Sequence, residues 1–265
     1  MRAGIGACAA ALALAAPSTA SASPPGANDW TCKPSSAHPY PVVLVHGTAE
    51  NMVDNWAFMS PALKAAGYCV FALNYGGSGG EALGVYGTGP IGASARELDA
   101  FVTRVRDATG ARKVSLVGHS QGGMMPRQYI KFEGGSGEVD DLIGLAPSNH
   151  GTSRQLPAPA GFLCVACGEQ AAGSEFLQSL NAGDETPGPV SYTQVVTQND
   201  EVVVPYTSGY LTPGPDTTNV RLQDRCPLDL SEHLAISYDP VALQWVENAL
   251  ARPGPADPAF GPRCV

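Results

Sequence analysis

Apolar positions in this chain gather into short unbroken runs, separated by stretches with helical spacing. Pro41 to Val45 is one such run; it ends in His46-Gly47-Thr48 and reads as a buried strand entering a turn. Trp56 to Ala66 has helical spacing and stops at Gly67, and Tyr68 to Asn74 follows as a second strand. Ser94, with Glu97 three residues later, has the pattern of a capped helix start. Leu98, Phe101, Val102 and Val105 continue that helix to Gly110. Lys113 to Val117 reads as a third strand, Met124 to Phe132 as a helix despite Pro126, and Val139 to Ala146 as a fourth strand. Tyr192 to Thr197 and Asn219 to Leu222 supply a fifth and a sixth. Asp239 to Leu250 closes the chain as a helix, with Val241, Trp245, Val246 and Ala249 on one face. Fully apolar strands alternating with helices predict an α/β fold, a mostly parallel central sheet with helices on both faces. In such sheets ligands bind beyond the carboxyl ends of the strands, so reactive side chains are sought there.

The first residues follow a different logic. Met1-Arg2 gives a short positive end, Ile5 to Ala16 is a small-apolar run, and Ala20-Ser21-Ala22 has the small-x-small form of a cleavage site. The run is shorter than the roughly 20 residues that a membrane-spanning helix needs. We read residues 1–22 as a secretory signal, 23–38 as an irregular N-terminal arm rich in Pro and Ser, and 39–265 as one catalytic domain. The mature protein is then extracellular, with no stable membrane anchor. Removing the leader takes away Arg2 and no acid, moving the net charge from −9 to −10. An acidic balance argues against nucleic-acid partners, which require clustered Lys and Arg.

Export also changes the meaning of the cysteines. Of 7 Cys, Cys8 leaves with the leader, and Cys32, Cys69, Cys164, Cys167, Cys226 and Cys264 remain. An even set in an oxidising compartment reads as disulfides, and composition alone leaves the pairing open. Cys164-x-x-Cys167 fits a local staple better than a redox pair or half a zinc site, because no second Cys/His pair at metal spacing accompanies it.

Gly-x-Ser-x-Gly marks a strand that turns so sharply into a helix that only Gly fits on either side of an exposed serine. The chain matches it twice, at Gly76-Gly77-Ser78-Gly79-Gly80 and at Gly118-His119-Ser120-Gln121-Gly122. Glycine-rich loop follows the first match, and such a loop does not hold a serine in a strained turn. The second lies between a strand and a helix, which selects Ser120 as nucleophile and sets Ser78 aside. A serine needs a base, and the base needs an acid to orient it; on this architecture they follow in the order Ser, acid, His. Of the five histidines, His38 lies in the arm, His46 after the first strand and His119 inside the turn. His233 alone comes after the late strands, with His150, after the fourth, as its competitor. Asp200 stands in Gln198-Asn199-Asp200-Glu201, just past the fifth strand, and is preferred over Glu201 beside it. Asp216, Asp224 and Asp229 read as loop residues. The oxyanion of an acyl-transfer intermediate needs fixed donors. The backbone N–H of Gln121 supplies one and that of Thr48 another, and the Thr48 hydroxyl is a candidate third.

His46-Gly47-Thr48, Gly118-His119-Ser120-Gln121-Gly122, Asn149-His150-Gly151-Thr152, Asn199-Asp200-Glu201 and Glu232-His233 occur in that order. With them, the stretch from about Tyr40 to Leu250 resembles the secreted bacterial class 2 lipase/esterase family of the α/β-hydrolase fold. The resemblance implies hydrolysis of triacylglycerols or other carboxylic esters through a Ser120-His233-Asp200 triad and an acyl-enzyme, without a cofactor; some lipases of this fold bind structural calcium, but the sequence offers no ligand set for a metal, and a monomer is expected. It implies Thr48 and Gln121 as oxyanion donors and Cys32–Cys69, Cys164–Cys167 and Cys226–Cys264 as disulfides. A polyester or polyhydroxyalkanoate depolymerase would use the same triad, and a non-catalytic binding module on the same fold is the remaining reading. Residues 146–189, rich in Pro and Gly, read as an insertion that walls or covers the acyl pocket at a lipid–water interface.

Overall fold

The computed structural model of the protein describes residues 22–154 and 163–264. The expected leader, apart from Ala22, lies outside the described residues, as does the 155–162 portion of the expected insertion. The elements are β1 (Val42–Val45), α1 (Met52–Asn55), α2 (Met59–Ala65), β2 (Val70–Leu73), α3 (Ile91–Thr109), β3 (Val114–His119) and α4 (Gln121–Phe132). They continue with β4 (Val139–Leu145), α5 (Val165–Glu169), α6 (Glu175–Asn181), β5 (Ser191–Val196), β6 (Thr217–Arg221), α7 (Leu222–Arg225) and α8 (Pro240–Leu250). The six strands form one sheet in the order β2-β1-β3-β4-β5-β6, and every neighbouring pair is parallel. Because the order reverses between β1 and β3, the crevice beyond their carboxyl ends is where such a sheet takes a ligand.

Strands β1 and β2 are apolar on both sides because both faces of the sheet are covered there, whereas the edge strand β6 is mostly polar and buried only at alternate residues. In β1, Val43 and Val45 join one core with α3 and α4, while Val42 and Leu44 join the other with Trp56, Leu63 and Trp245. In β2, Phe71 and Leu73 follow the first pair, and Val70 and Ala72 the second. This period of two inside a continuous apolar run is what burial of both faces of a sheet requires.

The N-terminal arm is not loose. Ala27 bridges to Val70 of the edge strand β2. The Asn28 side chain donates to Ala72 O at 2.9 Å and accepts from Ala72 N at 2.9 Å, imitating a further strand residue. Trp30 lies 5.0 Å from the Phe71 ring with the Arg104 guanidinium over its other side at 3.8 Å. An edge that would otherwise offer free backbone groups is thereby covered. Three disulfides join Cys32 to Cys69, Cys164 to Cys167 and Cys226 to Cys264. The first ties the arm to the start of β2.

Two helix starts differ from the sequence reading. The long helix begins at Ile91 rather than after Ser94, with Pro90 at its cap. Ser94 lies inside the first turn and donates to Pro90 O, and Glu97 accepts the Gly76 N–H instead of closing a capping box. The helical stretch around Trp56 is two pieces, α1 and α2, separated at Trp56–Phe58.

Asp141, on β4 at the amino-terminal end of the sheet, has a nearly buried carboxylate that accepts the Ser115 hydroxyl at 2.9 Å. Burial, with Asp140 adding like charge, pushes it up to about 7. A folded-state pKa above the unfolded value means that the native chain holds this proton longer than the unfolded chain does. Stability therefore falls as pH rises from the ordinary carboxylate range to about 7. Asp141→Asn keeps an acceptor for Ser115 and removes the titration. Its unfolding free energy relative to the parent is expected to rise by on the order of 1–3 kcal/mol between about pH 5 and about pH 8, measured by urea unfolding. A pH-independent difference would contradict this account.

Candidate active site

The turn between β3 and α4 fixes the centre of the site. Ser120 adopts φ 54° and ψ −120°, a left-handed backbone for a residue with a side chain. Its neighbours have no room for one: a Cβ on Gly118 would lie 1.8 Å from Gly122 O, and a Cβ on Gly122 2.0 Å from Val45 O. The Ser120 N–H donates to Leu145 O at 2.9 Å, so β4 holds the turn from the other side.

Two later loops bring polar groups to this serine. His233 Nε2 lies 3.0 Å from Ser120 Oγ, and His233 Nδ1 lies 2.9 Å from Asp200 Oδ2. Asp200 follows β5, and its second oxygen accepts the N–H groups of Val202 at 2.9 Å and Val203 at 2.7 Å. All three side chains are buried. Glu201 accepts the backbone N–H of His233 at 3.4 Å and does not meet its ring. The loop carrying the imidazole is pinned by Thr197, whose hydroxyl donates to Ser231 O at 2.6 Å.

The other histidines lie elsewhere. His150 Nε2 meets Glu185 Oε1 at 2.9 Å, and His38 stacks on Tyr68 at 3.9 Å. His46 is fully buried against Tyr75 at 4.4 Å, and burial pushes its pKa down to about 4, so it is neutral. Ser78 contacts Thr88 Oγ1 at 2.5 Å and donates to Leu163 O at 2.9 Å; among the described residues no imidazole reaches it.

Thr48, on the loop after β1, faces the start of α4. Its hydroxyl oxygen accepts Nε2–H from Gln121 at 2.7 Å and from Gln170 at 2.8 Å. With both acceptor positions used, the hydroxyl proton is left to point elsewhere. Among the described residues, the backbone N–H groups of Thr48 and Gln121 donate to no acceptor. Gln170, at the end of α5, escaped the sequence reading. Its amide also accepts from Ser148 at 2.8 Å, and Thr152 N donates to Gln170 O at 3.0 Å. The Thr152 hydroxyl in turn donates to Val202 O at 2.7 Å. Asn149-His150-Gly151-Thr152 is thus scaffolding that ties Gln170 to the loop of Asp200.

His119, set aside at first as a turn residue, is fully buried beneath the site. Its Nδ1 lies 3.0 Å from Glu50 Oε2 and its Nε2 2.8 Å from the backbone oxygen of His233.

A family model described as Lipase (class 2) matches residues 39–246. Triacylglycerol lipases of Pseudarthrobacter phenanthrenivorans and Burkholderia plantarii are each 41% identical over 93 residues, 33% of this chain. The matched stretch spans 27% and 24% of those relatives, about a quarter of their length. Among solved structures, Aspergillus fumigatus lipase B superposes with a TM-score of 0.74 at 22% identity, over 89% of this chain and 57% of that one. Bacillus licheniformis lipase BlEst2 in mature form gives 0.58 at 18% identity, over 82% and 94%. These two likenesses concern the fold.

The crowding at the turn makes a specific demand. Gly122→Ala must push the start of α4 away from β1, at a cost on the order of 3 kcal/mol or more. Thermal unfolding is expected to show a clearly lowered midpoint; a parental midpoint would mean that the two backbones are not in contact.

Proposed function

This chain belongs to the class 2 lipase family, and we propose that it is a serine hydrolase of carboxylic esters, acting on triacylglycerols or simpler esters. The observation that carries the reading is the continuous line of contacts Ser120 Oγ, His233, Asp200, at 3.0 and 2.9 Å. Ser120 attacks the ester carbonyl while His233 Nε2 takes its proton. The tetrahedral oxyanion that forms is held by the N–H groups of Thr48 and Gln121 and by the Thr48 hydroxyl. His233 passes the proton to the departing alcohol, leaving an acyl-serine. Water enters, loses a proton to His233 and attacks the acyl carbon; the proton returns to Ser120 as the acid leaves. Asp200 holds the imidazole tautomer with Nδ1–H toward itself and stabilises the cation formed at each transfer. Every step is assigned to side chains, backbone and water, and no second copy is needed to complete the site, so we take the working unit as a monomer.

We also propose that residues 1–22 direct export and are removed. The three disulfides fit an oxidising destination. Among the described residues no helix is long and apolar enough to cross a membrane. For the 146–189 segment, we favour a fixed wall in its described part. Glu169 accepts the Ile91 N–H at 2.7 Å, Ala166 N donates to Thr88 O at 3.2 Å, and Gln170 is bonded to Thr48. These contacts tie α5 to the rim from three sides.

Ser120→Ala is expected to abolish hydrolysis of p-nitrophenyl esters and labelling by an organophosphonate while leaving the unfolding midpoint unchanged, and Ser78→Ala to alter neither. Labelling that persists at Ser78 in the Ser120 variant would defeat the assignment. Thr48→Val, which removes the hydroxyl but keeps the N–H, is expected to lower kcat roughly 10²–10³-fold with little change in KM. Running the same series on esters of increasing acyl length, and on polyester films, distinguishes a lipase from a short-chain esterase and from a polymer hydrolase.

A further inference from the structure

Behind the triad lies a second carboxylate–imidazole pair, and its hydrogen bonds fix its charge. His119 Nδ1 faces Glu50 Oε2 at 3.0 Å, and Nε2 faces the His233 carbonyl oxygen at 2.8 Å. With Glu50 ionised both partners are acceptors, and the geometry then calls for a proton on each ring nitrogen, whereas a neutral imidazole has only one N–H. The Asn55 amide nitrogen lies 3.2 Å from Nδ1 and its oxygen is buried without a partner; turning the amide over, an exchange of two near-identical atoms, sets that oxygen as an acceptor against an N–H at Nδ1. Glu50 is itself held by the Gly47 N–H at 2.7 Å. Charged and titratable groups face this ring from three loops. Glu50 and the neutral His46 come from the β1 side, Asp200 from the loop after β5, and His233, whose ring centre is 5.0 Å away, from the loop after β6. Burial alone pulls the His119 pKa down, but the Glu50 charge and hydrogen bond more than offset it, and it ends above the ordinary histidine value. Burial raises Glu50 and His119 lowers it, so that carboxylate ends below its usual range.

We propose that His119, held as an imidazolium by Glu50, is a positioning residue for His233. Its Nε2–H grips the carbonyl of His233 and sets where the imidazole of the base stands relative to Ser120. The proposal rests on the catalytic reading above for its kinetic consequence, though not for the charge of the ring. The residue that precedes the nucleophile in sequence thus holds the residue that activates it, 114 positions later.

The first test needs no variant: nitrogen-detected NMR of the parent at neutral pH is expected to show two protonated ring nitrogens on His119. In Glu50→Gln the Gly47 contact survives but the charge is gone. His119 then gives up its proton at lower pH, and the alkaline fall in kcat moves down by about one pH unit or more, with KM changed less than about 2-fold. His119→Phe, which fills the space without donors, is expected to lower kcat roughly 10–100-fold at similar KM. A singly protonated His119 in the parent, or kcat profiles of both variants that superimpose on the parent's, overturns the proposal. A parent that hydrolyses no ester would instead overturn the catalytic reading, and the NMR result would still decide the charge of the ring.

Discussion

The end of β1 and the first turn of α4 approach so closely that a single added carbon on Gly122 would stand 2.0 Å from the Val45 carbonyl oxygen. That absence of space determines what else can happen at the rim. It brings Thr48, three residues beyond Val45, against Gln121, whose side-chain amide donates to the Thr48 hydroxyl at 2.7 Å. It also forces Ser120 into a backbone conformation that side-chain-bearing residues avoid, and lifts its hydroxyl clear of the sheet edge. The strain is tolerated because it is held from three directions: the β1 carbonyls, the first turn of α4, and the Ser120 N–H to Leu145.

An imidazole placed on a loop far from that turn must be held as firmly as the serine, since a misplacement of about 1 Å costs a large share of the advantage of proximity. The loop after β6 has little regular structure, and its order comes from polar contacts. Thr197 holds Ser231 O, Glu201 holds the His233 N–H, Asp200 holds the ring and His119 holds the carbonyl. Thr197, Asp200 and His119 are buried while Glu201 is exposed, and in the buried contacts hydrogen bonds are strong and losing one partner strands the other. Such a network is intolerant of partial change, and this is what keeps one rotamer of His233 dominant.

What was legible in the sequence divides along the same physical line. The strands β1 and β2 could be read because burial on both faces writes a continuous apolar run. Ser120 could be told from Ser78 because strand before and helix after is a local property. Chain order and the ends of strands pointed to Asp200 and His233, the two residues the structure brings into line with Ser120. The start of α3 was misplaced because Ser94 and Glu97 are good capping residues in isolation, yet Pro90 can begin a helix and their side chains found other partners. α5 and α6 went unread because five and seven residues in a Pro- and Gly-rich setting carry too little periodicity to register. Gln170 and His119 were missed for a different reason. The Thr48 partner of Gln170 is 122 positions away and the His233 partner of His119 is 114. A polar residue whose meaning lies in one distant contact leaves no trace in local pattern.

Gln170 also links two features that sequence would treat as separate. It closes α5, the described helix nearest the rim in the segment that departs most from a minimal hydrolase, and its amide supports the Thr48 hydroxyl. On the proposed catalytic reading, a change that moved α5 would therefore also move the Thr48 hydroxyl, the donor assigned to the oxyanion. The Cys164–Cys167 bond, closing a loop of three positions, removes little chain entropy and so contributes little to global stability. Its useful effect is local: it stiffens the entry to α5, one turn before the residue on which Thr48 depends. On that reading one glutamine couples the placement of α5 to the Thr48 hydroxyl, and a lid that swung this helix aside would have to break that support each time it opened. A wall that stays in place avoids the conflict.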